Sequence, residues 1–381
     1  MDVAAEESGW LPCRSPLDRL LEQVGLRRHD AHDGRRTVSA FVGLTWLPFV
    51  ALELVVLAAT GHLDPIFRAP GVHIRLLVAI PAYLEAEAIF ATRTSVCIGR
   101  ILDGRLVAPE QHDALRAMVR RSARLRDSVA AEIVLLVIAI GIGQLTIWNG
   151  QAGLFGYVSV GISAGLIWYG SVAFPVFLFL LFRWIWRWAV WAHLLWKLSR
   201  FPLRLLPMHP DRAAGLAFLV GPSMAFSLVL FGSSAVIAGT FAGIMLAEGT
   251  HLRSFGPEII VLVIAGELLA LGPLLVFYAQ LVAARFAGHA QYGALGIDYD
   301  RLFQQKWIES GDTEGLLGTS DIQSLADIQN AYGGLDETRA VPFGKREILL
   351  VALALVLPMV PLLLIEFPVE ELLTRLVGAL A

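Results

Sequence analysis

From Phe174 to Arg212 the chain reads FPVFLFLLFRWIWRWAVWAHLLWKLSRFPLRLLPMHPDR. It begins as unbroken hydrocarbon, turns into a collar of tryptophan and arginine, and ends in a proline-rich turn. Five of the ten tryptophans fall here, with Arg183, Arg187, Lys197 and Arg200 among them. Tryptophan favours the membrane–water boundary, because one end of the ring is apolar and the other donates a hydrogen bond. Arginine and lysine on the same turns mark the cytoplasmic face. This one stretch therefore predicts where a bilayer ends and which side it ends on. The interface residues it proposes are Arg183, Trp184, Arg187, Trp188 and Trp191.

The rest of the chain agrees with a membrane setting. Of 381 residues, 56% are hydrophobic and 17% charged, where a soluble domain is nearer half and a quarter. The excess lies in long runs, the signature of spanning helices. Spans are expected at about 38–60, 76–98, 128–148, from near Tyr157, 213–247, from near 258, and 346–366. The first 36 residues hold acidic groups and six arginines but no apolar core, so they do not read as a cleaved leader. The small net charge of −3 gives no reason to expect nucleic acid as a partner. Cys13 and Cys97 are too few for a zinc cluster and are expected as free thiols.

Charge distribution sets the topology. Of 30 Lys and Arg, 25 fall in four segments: 1–37, 99–127, 183–212 and 285–346. These alternate with the poorly charged connections. The pattern predicts an all-α, polytopic membrane protein of about seven spans, with its N-terminus in the cytoplasm and its C-terminus outside. Three stretches, 157–200, 213–247 and 258–291, exceed the ~20 residues needed to cross a bilayer. Spans four to six are thus expected to extend into a cytoplasmic helical layer. The organisation is an N-terminal arm with a short amphipathic helix (1–37), six spans with extensions (38–291), a polar helical segment (292–345), and a last span with a closing amphipathic helix (346–381). Ser320 with Gln323 fits a capping box, and Gly333-Gly334 a helix stop. Pro358 and Pro361 interrupt the last span, which leaves a re-entrant segment as an alternative.

Ionisable residues inside a bilayer are costly and are functional candidates by default. They are Glu53, Glu85, Glu87, Arg93 and Glu267. Glu85 and Glu87 are ~200° apart around a helix, whereas Glu85 and Arg93 share a face. The functional reading is an ion or proton path. The structural alternative pairs these carboxylates with Arg93 and with hydroxyls as packing glue. At His209-Pro210-Asp211, Asp211 is expected to cap a helix starting at Arg212. The basic run RRSARLR reads as a solvated face that sets topology, with contact to anionic headgroups as the alternative. No metal-ligand spacing, phosphate loop or catalytic motif appears, and no cofactor is expected.

PMHPDRAAGLAFL (207–219), LLGTSDIQSLAD (316–327) and LPMVPLLLIEFPVEELL (357–373) resemble an uncharacterised family of bacterial polytopic inner-membrane proteins. That likeness implies the inner membrane but transfers no activity. Where the family pattern continues Arg-Ala-Gly-Gly-Leu, this chain has Arg-Ala-Ala-Gly-Leu at 212–216. In topology alone, seven spans with cytoplasmic extensions are similar to insect chemoreceptor channels. Taken together, the expected function is a channel or transporter for an ion or small solute, in a homo-oligomer within the lipid bilayer. The alternative is a non-catalytic sensor or scaffold that binds a cytoplasmic protein.

Overall fold

Four prolines, Pro81, Pro175, Pro273 and Pro358, mark places where the helices of this chain depart from regularity. The computed structural model describes residues 16–23, 34–103, 106–148, 163–310 and 319–367, which are 85% helical without a strand. The helices are α1 (Pro16–Gln23), α2 (Gly34–Thr60), α3 (Pro70–Ile74, Arg75–Ala79 and Ile80–Leu102), α4 (His112–Arg126), α5 (Val129–Trp148) and α6 (Ala164–Trp168, Tyr169–Ala173 and Phe174–Leu198). There follow α7 (Val220–Glu248), α8 (Gly256–Leu271), α9 (Tyr278–Phe303), α10 (Ser320–Asp336), α11 (Lys345–Val356) and α12 (Leu362–Glu366). The middle sections of α3 and α6, Arg75–Ala79 and Tyr169–Ala173, are π-helical. Each stops two residues before a proline, Pro81 and Pro175. A helical proline lacks an N–H and collides with the carbonyl four residues back, and a widened turn absorbs the collision. Pro273 and Pro358 instead sit in 3₁₀ turns, Gly272–Phe277 and Leu357–Met359.

Six helical stretches are long and apolar enough to cross a membrane: Arg35–Thr60, Pro109–Trp148, Ala164–Leu198, Ala217–Glu248, Leu252–Glu309 and Lys345–Glu366. The expected second span is the central helix α3. It begins at Pro70, six residues earlier than its apolar run, and packs against α2, α6 and α7. Its approach to α7 depends on small residues. A methyl on Gly239 would come within 2.8 Å of the Gly71 backbone, and one on Gly232 within 3.2 Å of the Ala79 backbone. Gly239 opens a G-x-x-x-G pattern (239–243), a spacing that permits close helix approach, and the contact is made at this first glycine. Phe90, Trp184, Trp191 and Phe226 close the centre edge to face, at 5.3–6.4 Å between rings.

Helices overrun on one end of the bundle, here called the basic end. The Ala164–Leu198 stretch has 35 residues and Leu252–Glu309 has 58, about 52 and 87 Å at 1.5 Å per residue. The fifth span, Ala217–Glu248, has 32 residues and likewise exceeds a crossing, starting four residues later than expected, after an irregular chain over 199–216. The helix α10 does not follow its sequence signals. Gln323 donates to Asp327 rather than completing a box, and the helix runs through Gly333-Gly334 to Asp336. Antiparallel packing on α9 outweighs those local signals, since a methyl on Gly288 would collide with Leu335 and the Tyr299 hydroxyl donates to the Asp321 carbonyl. The chain after α11 continues to the opposite end of the bundle, where both Glu366 carboxylate oxygens meet the loop after α7, at His251 Nδ1 and the Leu252 N–H. It traverses the bundle and does not turn back. The 149–156 turn, the segment near Tyr157, Cys13 and the closing helix after 367 lie outside the described residues.

Candidate functional site: buried charge between helices

Arg183 and Arg187 stand one turn apart on α6, so both project from one face. That face is turned inward, and both side chains are 3% exposed. Arg183 Nη1 lies 2.8 Å from Glu87 Oε2, and Arg183 Nε 2.9 Å from Glu132 Oε1. Arg187 Nη2 lies 2.8 Å from Glu87 Oε1. Two carboxylates from α3 and α5 are thus bridged by two guanidiniums from α6. The second Glu132 oxygen accepts the Leu17 N–H of α1 at 3.2 Å, which docks the N-terminal arm on the cluster. The two arginines, read from the sequence as part of an interface collar, thus turn inward onto carboxylates of neighbouring helices. Opposite charge on two neighbouring helices offers them a desolvated but compensated site.

Trp184, Trp188 and Trp191 of the collar also turn toward neighbouring helices. Trp184 packs on Phe90 and Phe226 and donates to the Tyr83 carbonyl at 2.9 Å. Trp191 reaches Ser223 of α7, and Trp188 donates to the Leu269 carbonyl of α8 at 2.6 Å. The helix stays continuous through Arg183 to Leu198. Glu85 and Arg93 share the outward face of α3 and are exposed. Arg93 therefore does not serve as the partner of the carboxylates. Its stem rests 3.8 Å from where a methyl on Gly221 would sit.

A second polar centre lies toward the other end. Glu53 of α2 is fully buried, and its Oε2 accepts the Asp64 N–H at 3.3 Å. Its Oε1 has no partner among the described residues, and it fills the space that a side chain on Gly165 would take. One turn along α6 from Gly165, Tyr169 accepts from Arg75 Nη1 at 2.7 Å. Among the described residues Arg75 Nη2 has no partner, and the guanidinium lies 5.6 Å from the Phe174 ring. Arg75 and Tyr169 are the first residues of the two π-helical sections, which therefore meet through this bond. Beside them the Trp46 indole donates to His73 Nδ1 at 3.1 Å, which leaves Nε2 to donate to the Phe67 carbonyl at 2.6 Å. Glu267 stands apart between α8 and α11, beside the Ala352 backbone, and among the described residues neither of its oxygens completes a hydrogen bond.

Sequence reasoning missed Arg75, Glu132 and Tyr169. Arg75 reads as a loop residue if the helix is begun at its apolar run. Pro70 at the first helical position was the available signal, since proline there has no N–H to lose.

His209 and Asp211 belong to a different construction. Asp211 does not cap a helix; its carboxylate accepts the N–H groups of Ala213, Gly215 and Ala217. Arg212, Ala214 and Gly215 have φ of 56°, 52° and 95°, and this left-handed turn brings the N–H groups of Ala213, Gly215 and Ala217 onto one acceptor. Burial works against the Asp211 anion, but those three donors and His209 outweigh it and hold the carboxyl below its ordinary range. Arg339 clamps the turn from outside, donating from its N–H to the Arg212 carbonyl at 2.7 Å and from Nη2 to the Asp211 carbonyl at 2.8 Å. The turn is a staple at the basic end. Among the described residues no group of three His, Cys, Asp or Glu could hold a metal ion. Comparison with protein families, curated proteins and solved structures finds no match.

Proposed function

We propose that this chain is a seven-span protein of the bacterial inner membrane, with α3 as the seventh span, that moves an ion or small solute. The basic end is cytoplasmic on this reading, because it gathers most of the Lys and Arg. One observation carries the transport reading: the Arg75–Tyr169 bond joins two π-helical sections beside buried Glu53, and both Glu53 and Arg75 retain an unpartnered polar atom. Widened turns recur at functional sites, and an under-coordinated intramembrane charge is a natural place for a permeant ion or proton. The Glu87–Glu132–Arg183–Arg187 cluster, by contrast, is compensated and serves packing. The test is flux of protons, alkali cations and halides into liposomes holding the purified protein. Glu53→Gln and Tyr169→Phe are expected to cut flux at least tenfold with insertion unchanged. No flux for any of these solutes, or equal flux in both variants, would sink the reading.

The scaffold alternative rests on α9 and α10. That pair leaves Phe286, Ile297, Leu302 and Ile308 of the α9 stretch exposed, more apolar surface than a lone hairpin in water tolerates. A second copy of the chain or a cytoplasmic protein is the proposed cover. Light scattering that finds only monomer, together with unchanged cross-linking after Leu302→Ser and Ile308→Ser, removes it.

A further inference from the structure

At the basic end, a cavity of about 310 Å³ opens between α4, the last turns of α6 and the chain that follows. Its walls are Ala117, Met118, Arg121, Lys197, Arg200 and Phe201. Three of the six are cations and none is a carboxylate. Among the described residues none of the three cations is in an ion pair, whereas the buried Arg126, Arg183 and Arg187 are each bridged to a carboxylate. Like charges gathered on one small cavity repel, and an anion between them relieves that repulsion.

The cavity is also preformed. The Gln280 amide of α9 donates to the carbonyls of Ser199 and Phe201 at 2.8 and 3.2 Å, and so fixes the turn that carries Arg200 and Phe201. The Trp196 ring lies 5.1 Å from the Arg200 guanidinium. Met118 and Phe201 add an apolar wall for an organic body attached to the charge. We infer that this cavity is a binding site for a phosphate-bearing anion, held by Arg121, Lys197 and Arg200.

Depth separates the two sources of such a group. Arg121 lies eight residues before the apolar run that starts at Val129, about 12 Å along a helix. Lys197 is eleven residues beyond Trp186, whose indole meets the Leu125 carbonyl, about 16 Å along α6. A headgroup layer is only about 5–8 Å deep. The position therefore favours a soluble phosphorylated molecule over a lipid. The site is independent of the transport reading, since it shares no residue with it.

The test uses the full chain in detergent and in phosphatidylcholine vesicles with or without phosphatidylglycerol. Binding of inorganic phosphate and of AMP is measured by thermal shift and calorimetry, and lipid retention by native mass spectrometry. Each cation removed is expected to weaken binding about fivefold, so Arg121→Gln/Lys197→Gln/Arg200→Gln weakens it about a hundredfold. Arg121→Lys/Arg200→Lys keeps the charge and retains binding within a few-fold, which controls for misfolding of the triple variant. Arg285→Gln, elsewhere on the basic end, changes nothing. Binding of AMP or phosphate that the triple variant loses supports a soluble ligand. Selective retention of phosphatidylglycerol that the triple variant loses supports the same site with a headgroup as its source. If none of the three probes binds the wild type more tightly than the triple variant, the inference is overturned.

Discussion

Glu85 and Glu87 are two residues apart in one helix, yet the structure assigns them opposite costs. Replace each by glutamine, which keeps the shape and removes the charge. Glu87 accepts two guanidinium bonds of 2.8 Å, from Arg183 and Arg187, with its side chain 7% exposed. Hydrogen bonds to charged groups are worth about 1.5–3 kcal/mol each, and glutamine keeps one acceptor oxygen. The larger effect is the charge left behind. Two buried guanidiniums would share Glu132, and breaking a buried pair typically costs about 3–5 kcal/mol. Glu87→Gln is therefore expected to lose about 3–5 kcal/mol. Glu85 is exposed on the outward face, so Glu85→Gln is expected to change stability by no more than about 0.5 kcal/mol. Unfolding by sodium dodecyl sulfate in mixed micelles reads the difference. Trp184, whose ring centroid lies 5.9 Å from the Arg187 guanidinium, reports through its fluorescence. Equal transition midpoints for the two variants would refute the assignment of Glu87 to a dry, paired site.

Further perturbations test the other contacts. Gly165→Ala puts a methyl on Glu53 Oε1 and is expected to cost about 1–3 kcal/mol, with much of the loss recovered in Gly165→Ala/Glu53→Ala; detergent unfolding of the four-variant cycle measures the coupling. Because the Asp211 carboxyl is held below its ordinary value, its contribution is full above about pH 4 and is lost as pH falls through the folded value. Asp211→Asn removes that acid-side slope and lowers neutral-pH stability by about 1–2 kcal/mol, read from melting temperature against pH. Ala214→Gly relieves a left-handed strain of about 1–2 kcal/mol against an added unfolded-state entropy of about 0.4–1 kcal/mol, so a small rise in melting temperature is expected. A fall would show that the Ala214 methyl, buried in this turn, contributes packing that outweighs the strain.

The all-α class and the six long apolar helices were legible in the chain because bilayer thickness and helical rise are fixed quantities. A 20-residue apolar run such as Val129–Trp148 has few other places to go. The prolines were legible as irregularities, although which became π-helical and which 3₁₀ depends on the neighbouring helix and cannot be read locally. The direction in which a polar face points was not legible. Arg183 and Arg187 at the end of an apolar run satisfy the rule for interface arginines as well as the rule for buried bridges. Only the positions of Glu87 and Glu132 on other helices decide between them. The same holds for Asp211, whose spacing to Arg212 fits a cap. Consecutive left-handed residues reverse the chain instead, and the helix waits until Val220.

The distribution of paired and unpaired charge separates two functions that the carboxylates alone could not. At the basic end the bundle matches two glutamates to two arginines and anchors α1 on the result, an arrangement that resists movement of a charge through it. Toward the other end the polar groups are under-matched: Glu53 and Arg75 each keep an open valence, and their helices are widened at that level. An open valence in a low-dielectric interior is expensive unless something else completes it. Gly165 carries no side chain, and Glu53 Oε1 itself takes that space, which lets the carboxylate sit this deep between α2 and α6. On the proposed transport reading, these open valences put the candidate pathway at the end opposite the tryptophan–arginine collar.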